Sequence, residues 1–194
     1  MLKTTFLVAL FLAVAVVGGG ASVWYALDAQ EGVGAVTIGS WTAFPEIGTP
    51  DADPYSRARI AREGVLTLGR AEGLAFIAQR DSRGDILRRN CVYRIEGNVP
   101  PTRFWTLYAA DANLSALKAK NGRPSALHSY EVLHRPHNQL IILAGRHPEP
   151  GNWLPLQGSG DMFLVLTLYD TTIASSTGIA DVALPAITKS GCDA

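Results

Sequence analysis

Residues 162–169 read Met-Phe-Leu-Val-Leu-Thr-Leu-Tyr, and this stretch is a strong indication of the fold class. Side chains alternate between the two faces of an extended chain, so the leucines at 164, 166 and 168 share one face. Val, Leu, Phe and Tyr in this arrangement are typical of a strand packed into a sheet. The stretch therefore predicts a β-strand that completes a sheet near the end of the chain.

Five other stretches show the same strand character when the chain is followed outward from residues 162–169. They are separated by short segments rich in Gly, Pro, Asn and Asp, which form turns. The predicted strands are residues 74–79, 87–95, 103–108, 126–133 and 139–144. Six strands with hairpin-sized connections predict a mainly β, antiparallel sandwich or barrel.

One short amphipathic helix is predicted before the strands. Asp53 can accept hydrogen bonds from the free amides of a first turn, and Pro54 suits the first helical position. Apolar residues recur at helical spacing as far as Leu68, and Gly69 is a plausible C-terminal stop. A further helical turn or two is predicted within residues 113–120.

The amino-terminal segment predicts a transmembrane helix. No charged residue occurs from Thr4 to Leu27, and such a helix is about 36 Å long at about 1.5 Å per residue. A hydrocarbon core is about 30 Å thick, and Trp24 and Tyr25 suit its interface. The alternative is a signal peptide cleaved near the small residues 18–22.

The flanking charges predict the orientation of this helix. Lys3 precedes it, whereas Asp28 and Glu31 follow it, so the amino terminus should remain in the cytoplasm. We therefore expect a single-pass protein of the inner membrane whose C-terminal domain is periplasmic. The expected division is a transmembrane anchor at 1–29, a linker at 30–50 and an extracytoplasmic β-domain at 51–194.

Charge and cysteine content fit an exported domain. The formal net charge is zero, which with export argues against a nucleic-acid partner. Residues 57–103 carry ten arginines, which form either solvated faces or a patch for anionic lipid or polysaccharide. Cys91 and Cys192 are the two cysteines, and the prediction is a disulfide that ties down the tail. The alternative is a buried free Cys91 and an unpaired Cys192.

No catalytic or cofactor motif is recognisable. The histidines at 128, 134, 137 and 147 lack a carboxylate or cysteine at ligand spacing, so neither a metal nor another cofactor is expected. No Ser/His/Asp set or carboxylate pair shows the spacing of a catalytic site. The sequence thus favours a non-catalytic role, with an envelope hydrolase as the alternative, because catalytic sites are spatial.

The loop Asn152-Trp153-Leu154-Pro155 is the best candidate for ligand binding. A tryptophan between Gly and Pro residues can stack on a sugar ring or close a hydrophobic core. The candidate ligand-binding residues are Trp153 and Asn152, with Trp105 and Tyr108 expected nearby. We expect Trp153 to pack over one end of the β-domain, anchored by Pro150, Gly151 and Pro155, with Asn152 hydrogen-bonded to local backbone; a ligand-facing Trp153 is the other interpretation.

Four segments resemble a known bacterial family. They read Pro-Gly-Asn-Trp-Leu-Pro at 150–155, Phe-Leu-Val-Leu-Thr-Leu-Tyr-Asp at 163–170, Pro-Thr-Arg-Phe-Trp-Thr-Leu-Tyr at 101–108 and Asp-Pro-Tyr-Ser-Arg-Ala-Arg at 53–59. Together they resemble the domain-of-unknown-function 1214 family over about residues 50–188, here as a membrane-anchored member. One departure is Thr167, where the family usually carries an arginine.

The resemblance implies a β-rich fold of jelly-roll character and a frequent neighbour of the related 1254 family. It implies no catalytic residues. The expected function is therefore a membrane-anchored envelope module that binds a glycan, a lipid or a protein.

Overall fold

A computed structural model describes residues 2–28, 34–63, 68–69, 72–118, 125–171, 173 and 182–193. The protein is mainly β, as predicted, with two sheets, one long amino-terminal helix and one short helix. The helices are α1 (Leu2–Asp28) and α2 (Pro54–Glu63), and a 3₁₀ turn covers Pro136–Asn138. The strands are β1 (Val36–Ile38), β2 (Trp41–Ala43), β3 (Gly73–Ala78), β4 (Cys91–Gly97), β5 (Thr102–Ala110), β6 (Ala126–His128), β7 (Leu140–Gly145), β8 (Asn152–Pro155), β9 (Phe163–Thr171) and β10 (Ala186–Cys192).

Helix α1 is long and apolar enough to cross a membrane. Its span Lys3–Tyr25 has 23 residues with a mean hydropathy of 2.4, and its described side chains face outward rather than into the domain. The predicted boundary between anchor and linker, at residues 29–30, lies outside the described residues.

Helix α2 begins where the sequence predicts. The Asp53 carboxylate accepts hydrogen bonds from the N–H groups of Tyr55 and Ser56, at 2.9 and 3.1 Å. The Ser56 hydroxyl also bonds to Asp53, and these bonds hold the pKa of Asp53 below its usual value. The described helix ends at Glu63, and the predicted continuation at residues 64–67 lies outside the described part of the chain.

The larger sheet has the strand order β1-β2-β3-β9-β5-β6. Strand β9, which lies in the stretch predicted as a strand at 162–169, is between β3 and β5 and pairs antiparallel with both. All of its residues from Phe163 to Leu168 are buried. This central position explains why both faces of the strand are apolar.

The smaller sheet has the order β10-β4-β7-β8. Its β7–β8 pair is parallel, so the sheet is mixed rather than purely antiparallel. The inward side chains of both sheets meet in one core, which explains the two-layer arrangement. Its largest fully buried members are Trp41, Phe76, Leu87, Tyr93, Ile95, Leu107, Leu140, Ile142, Leu154, Leu156, Met162 and Leu164.

The segment expected as a linker, residues 30–50, contributes two strands instead. β1 and β2 form a hairpin that pairs with β3 through Thr42 and Ala43. Trp41 is 1% exposed, and its indole N–H donates to the carbonyl of Pro185 at 2.7 Å. The β-domain therefore includes residues before 51. No local pattern predicts this, because Pro185, the hydrogen-bond partner of Trp41, lies 144 positions further along the chain.

Three other local predictions were wrong. Residues 113–118 form no helix, because the Asp111 carboxylate accepts hydrogen bonds from the N–H groups of Asn113 and Ser115, and Ala116 pairs with Ala110 in an isolated antiparallel bridge. The strand predicted at 126–133 ends at His128, where the chain turns and Glu131 N–H bonds back to the His128 carbonyl. The segment 152–155, expected as a loop, forms β8.

Candidate functional site

The structure separates the four residues expected to form one binding site. Trp105 is 3% exposed and lies in the core. Tyr108 is on the same strand but on its other face, because the two are three residues apart. Asn152 and Trp153 lie on β8, at an edge of the smaller sheet. Trp105 and Tyr108 thus share no surface with Trp153.

Trp153 is half-buried on the outward face of the smaller sheet. It pairs with Leu143 of β7, while its neighbour Leu154 points into the core. Its indole N–H donates to the carbonyl of Gly145 at 3.0 Å. The side chain is therefore fixed along the sheet edge, with part of its ring open to solvent.

The Asn152 carboxamide joins β8 to two other segments. Its oxygen accepts from the N–H of Leu133 at 2.6 Å, and its NH₂ group donates to the carbonyls of Leu133 and Ile141 at 2.8 and 2.9 Å. These three bonds occupy most of the hydrogen-bonding capacity of the amide. Asn152 therefore shapes the loop around Leu133.

A different set of side chains forms an exposed aromatic cluster, which we call the aromatic face: Phe104, His128, Tyr130 and Tyr169. The Phe104 ring centroid lies 5.7 Å from His128, 5.5 Å from Tyr130 and 5.7 Å from Tyr169. Tyr130 is 77% exposed, whereas Phe104, His128 and Tyr169 are half-buried. These separations are typical of interacting aromatic pairs.

Strand pairing explains why these rings meet. Phe104 on β5 lies opposite Tyr169 on β9, and Thr106 lies opposite His128 on β6. All these residues occupy the outward face of the larger sheet, since the intervening Trp105 and Leu168 are buried. Tyr130 then follows β6 in a turn. The residues lie up to 65 positions apart in the chain (104 to 169), so only the strand register reveals the cluster.

Both ring nitrogens of His128 are engaged. Nδ1 accepts a hydrogen bond from the Tyr130 N–H at 3.3 Å, and Nε2 lies 2.9 Å from the Glu131 carboxylate. Because Nδ1 is an acceptor, the proton belongs on Nε2, which donates to Glu131. This arrangement fixes the orientation of the imidazole and places a carboxylate beside the rings.

Charged and hydroxyl groups border the aromatic face. Arg103 and Asp170, both exposed, form an ion pair at 3.6 Å between β5 and β9. The Tyr130 hydroxyl lies 3.4 Å from the Arg103 carbonyl, to which it donates. The face therefore combines flat apolar rings with hydrogen-bonding groups at its edge.

Tyr108 extends the same outward face toward the other end of the sheet. It pairs with Val165 and packs with a small buried cluster of Ala110, Phe163 and Val165. Burial raises the pKa of the Tyr108 hydroxyl above its usual value, with a smaller contribution from Tyr169. Tyr108 is therefore neutral across the physiological pH range.

Thr167, where the family resemblance implies an arginine, lies on β9 between the aromatic face and the cluster around Tyr108. It pairs with Ala75 on one side and Thr106 on the other, and it is 6% exposed. The centre of this outward face is thus a neutral hydroxyl in this chain. A larger cationic side chain at this position would lie among the aromatic rings.

The structure pairs the two cysteines with each other, but it does not gather the described histidines into a metal site. Cys91 and Cys192 lie opposite each other on β4 and β10 and form a disulfide. Within the described ranges, no three His, Cys, Asp or Glu side chains lie close enough to hold a metal ion. His147 lies 3.9 Å from the Asp193 carboxylate, the exposed His134 pairs with Leu140 in an isolated bridge, and the exposed His137 lies in the 3₁₀ turn.

Comparison with known proteins agrees with the fold. The VPA0106 protein from Vibrio parahaemolyticus is similar with a TM-score of 0.57 and 15% identity, over 71% of this chain and 35% of that chain. An uncharacterized protein from Burkholderia cenocepacia has a TM-score of 0.45 and 15% identity, over 91% of this chain and 51% of that chain. This chain thus spans only part of either relative. No curated protein matches it.

The family model described as "Protein of unknown function (DUF1214)" matches residues 72–173. The match covers just over half of the chain and includes β3 to β9 with the whole aromatic face. The chain belongs to the DUF1214 family.

Proposed function

We propose that the protein is a membrane-anchored, non-catalytic module of the cell envelope that binds glycan through the aromatic face. The observation that carries this proposal is the exposed Tyr130 ring packed against Phe104, which itself contacts His128 and Tyr169. A pyranose ring presents a face of C–H bonds that stacks on such rings. Its hydroxyl groups then meet polar atoms at the border, here those of Glu131, Arg103 and Asp170.

The shape of the aromatic face favours a glycan over a small apolar ligand. Apolar ligands prefer enclosed pockets that cover most of their surface. The aromatic face is instead open, with a charged rim. An open face suits an extended chain of sugars, each of which contributes a modest contact.

The His128–Glu131 pair does not support the hydrolase alternative. A general base needs a free nitrogen within hydrogen-bonding reach of the nucleophile or water that it activates. Both nitrogens of His128 are taken, one by a backbone N–H and the other by Glu131. In this proposal Glu131 therefore serves to fix the orientation of the His128 ring.

The proposed location is the inner membrane, with a single transmembrane helix and a periplasmic domain. The length and apolar character of α1 support the anchor, and Lys3 before it supports the orientation. The Cys91–Cys192 disulfide supports an oxidising compartment. A related protein of the 1254 family remains a proposed partner, supported by the family resemblance alone.

Co-sedimentation of the full-length chain, in mild detergent, with purified peptidoglycan sacculi tests this function. We expect binding that Tyr130→Ala and Phe104→Ala each weaken by about tenfold, because each removes a stacking surface. Tyr130→Phe should retain binding, since the ring remains.

Tyr55→Ala is the matched control, because Tyr55 is an exposed tyrosine on α2, away from the aromatic face. An equal loss with Tyr55→Ala, or no binding to sacculi by the wild type, would contradict the proposal. Release of soluble sugar fragments during incubation would favour the hydrolase instead.

A further inference from the structure

The border of the aromatic face carries more negative than positive charge among the residues that the structure describes. Arg103 lies there 3.6 Å from Asp170, and these two opposite charges balance each other. Glu131 is a second acid at this border, bound to the neutral His128. Glu72, whose carbonyl accepts the Asp170 N–H at 3.0 Å, is a third. The aromatic face therefore lies in a negative field, which favours a ligand that carries positive charge.

The Glu131 carboxylate is open to a ligand although it already holds His128. Its printed contact is one hydrogen bond from His128 Nε2, at 2.9 Å, and its side chain is 41% exposed. An ionised carboxylate has room for about four donors on its two oxygens. Glu131 can thus accept further hydrogen bonds from solvent or from a bound molecule without releasing the His128 ring.

The turn that carries Glu131 is fixed to the domain by its neighbours. The Glu131 N–H donates to the His128 carbonyl at 3.1 Å, and the Ser129 N–H donates to the Trp105 carbonyl at 3.0 Å. Val132, the next residue, is 9% exposed and packs in the main core. The backbone at Glu131 is therefore ordered before any ligand arrives, which lowers the entropic cost of binding.

Aromatic rings lie beside this carboxylate. Tyr130 precedes Glu131 and is 77% exposed. The His128 ring, to which Glu131 is bonded, has its centroid 5.7 Å from that of Phe104 and 6.3 Å from that of Tyr130. An ammonium group within about 6 Å of a phenyl or phenol ring is attracted to its negative face. A cation beside Glu131 therefore gains from the carboxylate and from the nearby rings.

This combination distinguishes between classes of sugar. An acidic sugar brings its carboxylate toward Glu131 and Asp170, which repel it. A neutral sugar stacks on the rings but makes no use of the excess negative charge. An amino sugar stacks in the same way and adds an ammonium group, which can donate to Glu131 in a charge-assisted hydrogen bond.

We propose that the natural ligand of the aromatic face is a glycan with free amino groups, and that Glu131 accepts a hydrogen bond from the ammonium group of one sugar. The inference rests on the glycan binding proposed above and names its substrate class. The rings hold the sugar, whereas Glu131 selects its charge.

Isothermal titration of the full-length chain in a non-ionic detergent tests the substrate class. The probes are short oligomers of glucosamine and of N-acetylglucosamine, matched in length, at about pH 7 and low ionic strength. We expect the glucosamine oligomer to bind at least about fivefold more tightly, because an exposed ion pair and a cation–π contact add modest gains. High salt should reduce this preference, since the charges are exposed.

Glu131→Gln isolates the charge. Glutamine keeps an oxygen for the His128 N–H, so the turn and the melting temperature should be retained. The preference for glucosamine should disappear, while the Kd for the N-acetylglucosamine oligomer should change by less than about twofold. Glu149→Gln is the matched control, because Glu149 is an exposed acid between β7 and β8 of the smaller sheet, and it should retain the preference.

The outcomes separate this inference from the proposed function. Equal binding of both oligomers by the wild type overturns the amino-glycan ligand and leaves glycan binding intact. A preference that survives Glu131→Gln, or that Glu149→Gln also removes, overturns the role of Glu131. Absence of binding by either oligomer counts against both proposals.

Discussion

The side-chain carboxamide of Asn152 hydrogen-bonds both the N–H and the carbonyl of Leu133, as a neighbouring strand would. Leu133 lies in the exposed segment that follows β6. The side chain of Asn152 thus supplies the pairing that the broken strand loses, and it holds the turn against the edge of the smaller sheet.

We expect Asn152→Asp to destabilise the protein more than Asn152→Ala. Alanine removes three hydrogen bonds, which should lower the free energy of unfolding by about 1–3 kcal/mol. The loss is moderate because water reaches part of this surface. Aspartate keeps the acceptor for Leu133 but turns a carboxylate oxygen toward two carbonyls. Thermal unfolding at neutral pH measures the difference, and an aspartate variant as stable as the wild type would show that the amide donors contribute nothing.

Trp153 should contribute to stability less than a core residue does. Emptying a fully buried aromatic site costs about 3–5 kcal/mol, and Trp153 is only half-buried. We therefore expect Trp153→Ala to lower the free energy of unfolding by about 2 kcal/mol. Trp153→Phe, which removes the hydrogen bond to Gly145, should lower it by about 1 kcal/mol. Chemical denaturation checks both values. An unchanged unfolding midpoint with lost sacculus binding would instead make Trp153 a ligand contact.

Trp41 should behave as a core residue despite its position in the expected linker. We expect Trp41→Ala to cost about 3–5 kcal/mol, because the ring is fully buried and bonded to Pro185. A fragment that begins at residue 51 should fail to fold, whereas one that begins at residue 30 should fold. Circular dichroism and melting of both fragments decide this, and a stable fragment 51–194 would contradict the assignment of β1 and β2 to the domain.

The disulfide should stabilise the domain by about 2–4 kcal/mol. It closes a loop between residues 101 positions apart, which restricts the unfolded chain. We expect Cys91→Ser with Cys192→Ser to unfold at a lower denaturant concentration than the oxidised wild type. Dithiothreitol should lower the unfolding midpoint of the wild type to that of the double variant, and it should leave the midpoint of the double variant unchanged. A shift in the midpoint of the double variant would indicate an unrelated effect of the reagent.

The Asp85–Lys189 ion pair should make stability depend on pH at both ends of the scale. The hydrogen bond to Lys189 lowers the pKa of Asp85 below its usual 3.8, and the same bond raises the pKa of Lys189 above its usual 10.5. A lowered acid pKa contributes stability that is present above 3.8 and lost as pH falls through the lowered pKa. A raised base pKa contributes stability that is present below 10.5 and lost as pH rises through the raised pKa.

Melting temperatures of the wild type and Asp85→Asn, recorded against pH, test this pair. The difference should be small and constant between about pH 5 and 9, because the pair is at the surface. It should shrink in acid and in strong base, and also in high salt, which screens exposed charges. Lys189→Met provides the second arm of a double-mutant cycle, and a coupling that persists at acid pH would show that charge is not involved.

Local sequence patterns predicted much of the architecture. Strand-like composition, or alternation over one strand length, was sufficient to predict β3, β4, β5, β7 and β9, since both are visible within a few consecutive residues. The Asp53–Pro54 pair marked the start of α2 because capping bonds span only three residues. The run from Thr4 to Leu27 indicated an apolar helix of membrane-spanning length by composition alone.

Pairing between distant strands determined the elements that local sequence patterns do not predict. The hairpin β1–β2, the edge strand β8 and the last strand β10 are short or polar, and they are strands because of their neighbours. The same holds for the aromatic face, because Phe104 meets Tyr169 only through the β5–β9 register.

Local sequence patterns thus predict the fold class, the apolar amino-terminal helix and the family, whereas the side chains that share a surface are revealed only by the folded chain. Side-chain periodicity is a property of a few consecutive residues. Register, by contrast, depends on hydrogen bonds and packing between segments far apart in the chain, as between Cys91 and Cys192, which are 101 positions apart.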